Sequence, residues 1–199
     1  MTRLPRAVLS ASLAALLLAG CTTTYVSPVE VTRFVGPAPT LLGRGPIAVE
    51  TAPGEDTGSW EHTAFQAAVG DRLTRLGYVV TGDMAQQVAE ISVQRFVAQP
   101  GRHSPVSVGV GGSTGGYYGS GVGAGIGIDL SPRPGPAVDT LLRVVIRPSG
   151  GGDALWEGRA HFLATQNSRY GDQRAAAQHL ADALFSGFPG RSGETIEVR

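Results

Sequence analysis

Six stretches of the chain are strand-like, and the longer ones alternate apolar and polar residues in steps of two, as strands with one buried face do. The two clearest are Val138–Arg147 and Ala154–Thr165, and the three glycines within Pro148–Asp153 predict a hairpin turn between them. The other four are shorter or alternate less strictly. They are Val29–Val35, Ile47–Thr51, Tyr78–Thr81 and Val88–Ala98.

Two further segments space their apolar residues as helices do. From Trp60 to Leu76 the larger apolar side chains fall mainly three to five residues apart, with Gly77 following as the helix end. Ser59 is placed to cap the start. A second helix is predicted over roughly Gly171–Phe185. The order strands, helix, strands, helix predicts an α+β fold with both helices packed on one face of an antiparallel sheet, and it disfavours a doubly wound nucleotide-binding sheet.

The first twenty residues have the three parts of a secretory signal peptide. A basic flank over residues 1–6 is followed by twelve apolar or small residues, a run shorter than the roughly 20 that a membrane-spanning helix needs. The run leads into Leu18-Ala19-Gly20-Cys21. This motif resembles the lipobox of bacterial lipoproteins, in which the cysteine thiol receives a diacylglyceryl group and becomes the new N-terminus.

Lipidation at Cys21 also accounts for the only cysteine of the chain, because a lone thiol is unusual in an exported protein. The next residue is Thr22 rather than aspartate, which resembles the sorting pattern of outer-membrane lipoproteins. The sequence therefore predicts a signal peptide over residues 1–20, a lipidated tether over residues 21–28, and attachment to the periplasmic face of the outer membrane.

The composition excludes several kinds of chemistry. Sixteen basic and sixteen acidic residues balance, so we predict no nucleic-acid partner. All sixteen basic residues are arginines, which excludes a P-loop lysine and a Schiff-base lysine, and acylation of Cys21 would remove the only thiol. The four histidines lack metal-ligand spacing. We predict no cofactor, no metal site and no catalytic residue; the predicted partners are the membrane, through the lipid, and another envelope protein.

Residues 105–136 form a glycine- and proline-rich insertion. From Val122 onward aliphatic residues alternate strictly with glycines, and the valines within residues 106–110 recur in the same steps of two. The two arms can form a long hairpin with Tyr117 and Tyr118 at its tip. Two interpretations stay open: a loosely ordered insertion, because glycine costs entropy to order, or an apolar hairpin that docks on a partner or on lipid through the two tyrosines.

One short match in this insertion resembles a hydrolase motif. Gly111-Gly112-Ser113-Thr114-Gly115 fits the G-x-S-x-G nucleophile elbow, and Asp153 and His161 follow in the order of α/β-hydrolases. An elbow needs a helix directly after the serine, which the surrounding glycines disfavour. An envelope hydrolase that uses Ser113 is therefore an alternative function, as is a carrier of lipid or a small ligand.

Four short motifs remain to be explained. They are Val31-Thr32-Arg33-Phe34, Leu76-Gly77-Tyr78, Leu155-Trp156-Glu157-Gly158-Arg159-Ala160 and Phe188-Pro189. Together they resemble a bacterial lipoprotein family classed as a domain of unknown function (DUF 4136). The resemblance covers about residues 30–190 and implies a periplasmic α+β domain without an assigned activity. We accordingly predict a single domain over residues 29–190, a C-terminal tail over residues 191–199, and non-catalytic binding or scaffolding in the cell envelope.

Overall fold

A computed structural model describes residues 23–55, 60–98, 106–112, 122–128 and 135–199. Several residues singled out from the sequence lie outside these ranges. They are Leu18, Ala19, Gly20 and Cys21 of the lipobox, Ser59, Ser113, and the two tyrosines Tyr117 and Tyr118.

The described residues form nine strands and two α-helices. The strands are β1 (Val29–Val35), β2 (Gly45–Thr51), β3 (Tyr78–Val80), β4 (Gln87–Ala98), β5 (Val106–Gly112), β6 (Val122–Ile128), β7 (Ala137–Pro148), β8 (Trp156–Thr165) and β9 (Glu194–Val198). The helices are α1 (Trp60–Arg75) and α2 (Gln173–Leu184), with single 3-10 turns at Pro39–Leu41 and Arg169–Gly171. Seven strands form one sheet in the order β3-β2-β4-β7-β8-β1-β9, which confirms the predicted α+β class.

The sheet is mixed, whereas the sequence predicted an antiparallel one. Strand β2 runs parallel to both of its neighbours, β3 and β4, and the remaining neighbours in the sheet pair antiparallel. The physical reason is that α1 connects β2 to β3, so the chain crosses over the sheet and returns in the same direction. The sequence predicted β2, α1 and β3 in this order, but not their parallel pairing, because the direction in which strands pair depends on their neighbours and leaves no local pattern.

Both helices pack side by side on one face of the sheet, as predicted. They are joined at the surface by an ion pair from Arg72 Nη1 to Asp182 Oδ1 at 3.3 Å. Buried side chains at steps of three and four fill the space between the helices and the sheet. They include Phe65, Val69 and Leu73 of α1, Leu180 and Leu184 of α2, and Ile91, Val144 and Phe162 of the sheet. Gly77 follows α1 with a φ of +102°, a left-handed conformation that favours glycine.

The predicted C-terminal tail, residues 191–199, contains a strand. Residues Glu194–Val198 form β9, which pairs antiparallel with β1 and closes one edge of the sheet. The strand is short, and its two glutamates leave only Ile196 and Val198 packed against the core. Charged, short strands are typical of sheet edges, and they carry little of the apolar signal from which strands are predicted.

The two arms of the glycine-rich insertion pair antiparallel as β5 and β6. The register sets Val106 opposite Ile128 and Val108 opposite Ile126, while Gly109 lies opposite Gly125. The aliphatic and glycine positions of the two arms are therefore in phase. Within the described ranges, no helix is long and apolar enough to cross a membrane.

Candidate functional site

The segment before β1 is bonded to the sheet. The amide of Tyr25 donates to Thr165 Oγ1 at 3.0 Å, and the amide of Thr165 donates back to the Tyr25 carbonyl at 2.9 Å. The amide of Ser27 donates to the Leu163 carbonyl at 2.8 Å, and the Leu163 amide donates to Ser27 Oγ at 2.9 Å. Of the predicted tether over residues 21–28, the part from Tyr25 onward is thus fixed to β8, and three residues, 22–24, separate Cys21 from the first bonded residue.

This pairing singles out one end of the sheet, which we name the Tyr25 end. Ala98 of β4 pairs with Ala137 of β7, and Ala137 pairs with Thr165 of β8, so all three lie at this end beside Tyr25. Because β4 ends and β7 begins here, the glycine-rich insertion leaves and re-enters the sheet at the Tyr25 end. The opposite end, named the Trp156 end, holds the start of β8 and the end of β7.

Large apolar side chains are exposed at the Tyr25 end. Tyr25 is 49% exposed, Phe96 62% and Val97 57%, and Val26 is also exposed. Val97 pairs with Val138, which pairs with Ala164, which bridges to Val26, so these residues follow one row across the sheet. Phe96 carries a signal in the sequence, because it breaks the polar side of β4 formed by Glu90, Ser92 and Gln94.

Basic groups and helix N-termini also lie at the Tyr25 end. The guanidinium of Arg95 donates through Nη2 to the Gly171 carbonyl at 3.3 Å, which places the start of α2 beside the end of β4. Arg174 in the first turn of α2 is exposed, and Arg169 lies over the Tyr170 ring at 4.7 Å. The first turns of α1 and α2 line one groove, and the Arg72–Asp182 ion pair joins their later turns. The two helices therefore run parallel to each other, and both begin toward the Tyr25 end.

The sheet face opposite the helices carries paired charges. Glu157 of β8 accepts from Arg143 Nε at 2.9 Å and Nη2 at 3.1 Å, and Arg159 Nη2 approaches the same carboxylate at 2.7 Å. Arg147 and Glu90 pair at 3.1 Å on the neighbouring strands. The hydrogen bonds from Arg143 outweigh burial and hold the pKa of the Glu157 carboxyl below its ordinary value. These charges stabilise one another across the strands.

Two residues of the hydrolase alternative lie apart. His161 Nε2 lies 2.7 Å from Asp139 Oδ1 on the neighbouring strand, so its carboxylate partner is Asp139. Asp153 lies in the turn before β8, and His161 follows Trp156 by five strand residues, which corresponds to roughly 17 Å. The structure therefore does not bring Asp153 and His161 together, and Ser113 lies outside the described residues.

A second cluster resembles a catalytic triad in composition. Glu55 accepts hydrogen bonds from Ser92 Oγ, from the Val93 amide at 3.3 Å, and shares one with His62 Nε2 at 2.8 Å. The carboxylate, rather than the histidine, is central: Ser92 and His62 each contact Glu55, so the order of contacts differs from the serine–histidine–carboxylate order of a catalytic triad. Burial disfavours ionisation of Glu55, but the hydrogen bonds from Ser92, His62 and Val93 outweigh it and lower the pKa of its carboxyl. Glu55 thus caps the edge of β4 beyond the end of β2.

Three of the four motifs that resemble the lipoprotein family meet at the Trp156 end, whereas Leu76-Gly77-Tyr78 leads into β3 at the opposite edge of the sheet. Buried Arg33 donates through Nε to the Leu184 carbonyl at 3.1 Å and through Nη2 to the Ala183 carbonyl at 3.2 Å, at the end of α2. Trp156 Nε1 donates to the Pro189 carbonyl at 2.9 Å. A side chain at Gly158 would overlap the Trp156 ring and a Leu184 methyl. These motif residues hold α2 on the sheet and have a structural role.

Comparisons with known proteins add little. No protein-family model matches the chain. An uncharacterised protein of Zymomonas mobilis is 39% identical over 62 residues, which are 31% of this chain and 23% of the length of that relative.

Two solved structures match the chain at low TM-scores. A PelC dodecamer from Paraburkholderia phytofirmans is 15% identical with a TM-score of 0.44, covering 82% of this chain and 99% of that chain. A PDZ domain protein from Parabacteroides distasonis is 12% identical with a TM-score of 0.47, covering 95% of this chain and 42% of that chain. Similarities this low carry no functional information.

Proposed function

We propose that this protein is a lipoprotein held through Cys21 on the periplasmic face of the outer membrane, where it binds or scaffolds another envelope component. It belongs, in this proposal, with the lipoproteins of unknown function that its short motifs resemble. The observation that carries the proposal is the Leu18-Ala19-Gly20-Cys21 motif directly after a short apolar run, in a chain with no other cysteine. Acylation of Cys21 would bury several hydrocarbon chains in the bilayer, and more than one chain gives stable attachment.

The hydrogen bonds of Tyr25 support a function close to the membrane surface. Tyr25 follows Cys21 by four residue steps, so even a fully extended connection spans no more than about 14 Å. A lipid on Cys21 would therefore hold the folded domain beside the headgroups, because no long flexible linker separates the two.

The role of binding rather than catalysis is supported by what the ionisable groups do. Glu55 caps a strand edge, Glu157 joins two arginines, and Arg33 binds the end of α2. Each of these groups therefore has a structural role in the fold.

Labelling with radioactive palmitate tests the anchor. We expect the full chain, expressed in a Gram-negative host, to incorporate palmitate and to fractionate with the outer membrane, and Cys21→Ser to lose both properties. The matched control is Ser27→Ala, which changes a nearby residue and leaves the thiol. Export of an unlabelled wild-type chain that is released from the membrane by salt would overturn the proposal.

Gentle detergent extraction tests the binding role. Lipidated chain with a C-terminal tag, purified from membranes and analysed by native mass spectrometry, is expected to carry a stoichiometric envelope protein. Reproducible recovery of the chain with a stoichiometric small lipid instead would favour the carrier alternative, and recovery alone at native expression levels would count against binding of a stable partner.

A further inference from the structure

We infer that the Tyr25 end of the sheet rests on the bilayer as a second, non-covalent membrane contact, which fixes the orientation of the domain on the membrane. The inference deepens the proposed function and rests on lipidation of Cys21. It concerns the exposed residues Tyr25, Val26, Phe96 and Val97.

Tyr25 lies close along the chain to the predicted lipid. The connection of at most about 14 Å between Cys21 and Tyr25 exceeds the thickness of a single headgroup layer, roughly 5–7 Å, by less than about 10 Å. Because Tyr25 is bonded to β8 near the end of that strand, the sheet end itself, and not merely a flexible segment, is brought to the headgroups.

The exposed side chains at the Tyr25 end suit the interfacial layer of a membrane. Tyr25 and Phe96 are aromatic, and aromatic side chains partition favourably into the interfacial layer of a bilayer. Val97 and Val26 lie three strand spacings apart along one row, so the exposed apolar residues extend over roughly 14 Å of the sheet end. A contact of this width resists tilting better than a single point of attachment.

Charged groups of both signs border the apolar residues at the Tyr25 end. Exposed Arg169 and Arg174 lie here, and both helices direct their N-terminal ends, which carry partial positive charge, to the same side. Each arginine attracts anionic phospholipid headgroups over a short range. Carboxylates lie here as well, because Asp139 pairs with Phe96 across the strands and exposed Asp172 caps α2. The apolar residues, rather than the net charge, therefore carry the proposed contact.

The opposite end provides a comparison within the same molecule. Val79 at the Trp156 end is 63% exposed, which matches the 62% of Phe96. The twelve residues of β7 separate the two ends by roughly 40 Å, so a domain attached at Tyr25 cannot place both ends on one bilayer. Exposure alone does not distinguish Val79 from Phe96, whereas distance from Cys21 does.

Single-cysteine labelling tests the contact, because acylation of Cys21 leaves the chain without a free thiol. Phe96→Cys and the matched control Val79→Cys are expressed as full lipidated chains and labelled with an environment-sensitive fluorophore. They are then reconstituted into vesicles of phosphatidylethanolamine and phosphatidylglycerol. We expect the label at residue 96 to be quenched by brominated phospholipid and to show a several-fold lower quenching constant with aqueous iodide. The label at residue 79 should show the reverse.

The possible outcomes separate the two proposals. Flotation of the vesicles before the fluorescence measurement reports lipidation, because a chain without acyl groups stays at the bottom of the gradient. A wild-type chain that stays at the bottom counts against the lipid anchor. A chain that floats, but whose labels at residues 96 and 79 respond equally to iodide and to brominated lipid, overturns the membrane contact and leaves the anchor intact. Unchanged thermal unfolding of both labelled variants verifies that the labels report a folded domain.

Discussion

The two ends of the sheet are built in different ways. At the Trp156 end, a buried arginine, a hydrogen-bonded tryptophan and a glycine without room for a side chain fit together at the end of α2. At the Tyr25 end, Phe96 and Val97 are exposed and the glycine-rich insertion leaves the sheet. The contrast indicates that most of the recognisable motifs of this chain maintain the fold, and the membrane contact that we propose lies where such motifs are absent.

The largest expected effect is a loss of stability at the Trp156 end. Trp156 is fully buried, stacks on Phe185 at 5.3 Å between ring centroids, and donates to the Pro189 carbonyl. Trp156→Ala should lower the free energy of unfolding by about 3–5 kcal/mol, because it leaves a cavity and an unbonded carbonyl. Urea denaturation measures the loss. Phe96→Ala at the other end should cost less than about 1 kcal/mol, and equal losses would remove the contrast between the ends.

A smaller effect is expected for Arg33. Replacement by methionine keeps much of the buried volume but leaves the Ala183 and Leu184 carbonyls without this donor, so we expect a loss of about 1–3 kcal/mol. Exposed Arg174 serves as the control, since Arg174→Met should change stability by less than about 0.5 kcal/mol. A thermal scan of both variants checks that Arg33→Met lowers stability more than Arg174→Met does. Unchanged stability of Arg33→Met would show that the charged hydrogen bonds at the helix end are dispensable.

Glu55 adds a third region to the comparison, because it makes a specific contact beside the middle of β4, between the two ends. Its carboxyl pKa is lowered in the folded state from an ordinary value of 4.5, so its stabilisation is present above about pH 4.5. The stabilisation is lost as the pH falls through the lowered value. Glu55→Gln should therefore cost about 1 kcal/mol near neutral pH and progressively less in acid.

Chemical denaturation at a series of pH values measures this difference. Asp153→Asn, which changes an exposed carboxylate in the β7–β8 turn, is the control and should show no such trend. A constant difference between wild type and Glu55→Gln from neutral to acidic pH would contradict the proposed role of the ionised carboxylate.

The smallest expected effect on stability concerns the insertion. Deletion of residues 111–121 removes the connection between β5 and β6 together with the last two residues of β5, which are glycines. It should change the free energy of unfolding by less than about 1 kcal/mol, since these glycines add no side-chain packing and loop-closure entropy depends weakly on length. If the hairpin docks on a partner or on lipid, the same deletion weakens co-purification or liposome association. Unchanged behaviour in both assays contradicts docking, and a large loss of stability would mean that the insertion packs on the sheet.

Sequence patterns predicted the longer elements because their signal is local. Strand β1 and helix α1 were predicted to within a residue or two, since period and end signals lie within the segment itself. Strand β9 was missed because a short edge strand with two glutamates buries too little to show a pattern. The parallel pairing of β2 was missed because the direction of a strand depends on its neighbours.

The candidate site was less predictable than the fold. The bonds between Tyr25 and Thr165 join residues 140 positions apart, and no local pattern encodes such a pairing. Arg33 was noticed only as part of a motif, because its partners are backbone carbonyls, which every residue carries. Lipidation at Cys21 was predicted from its motif alone and stays a prediction.

The bonding of residues 25–27 to β8 also has a mechanical consequence. If Cys21 carries the lipid, any force between the membrane and the domain acts first on the Tyr25–Thr165 hydrogen bonds, before it reaches β1. Peeling this segment from β8 would release roughly 10 Å of additional chain while the seven-stranded sheet stays whole. The linker between the lipid and the folded domain would then lengthen under force, which would let the bilayer and a bound partner move apart without unfolding the sheet.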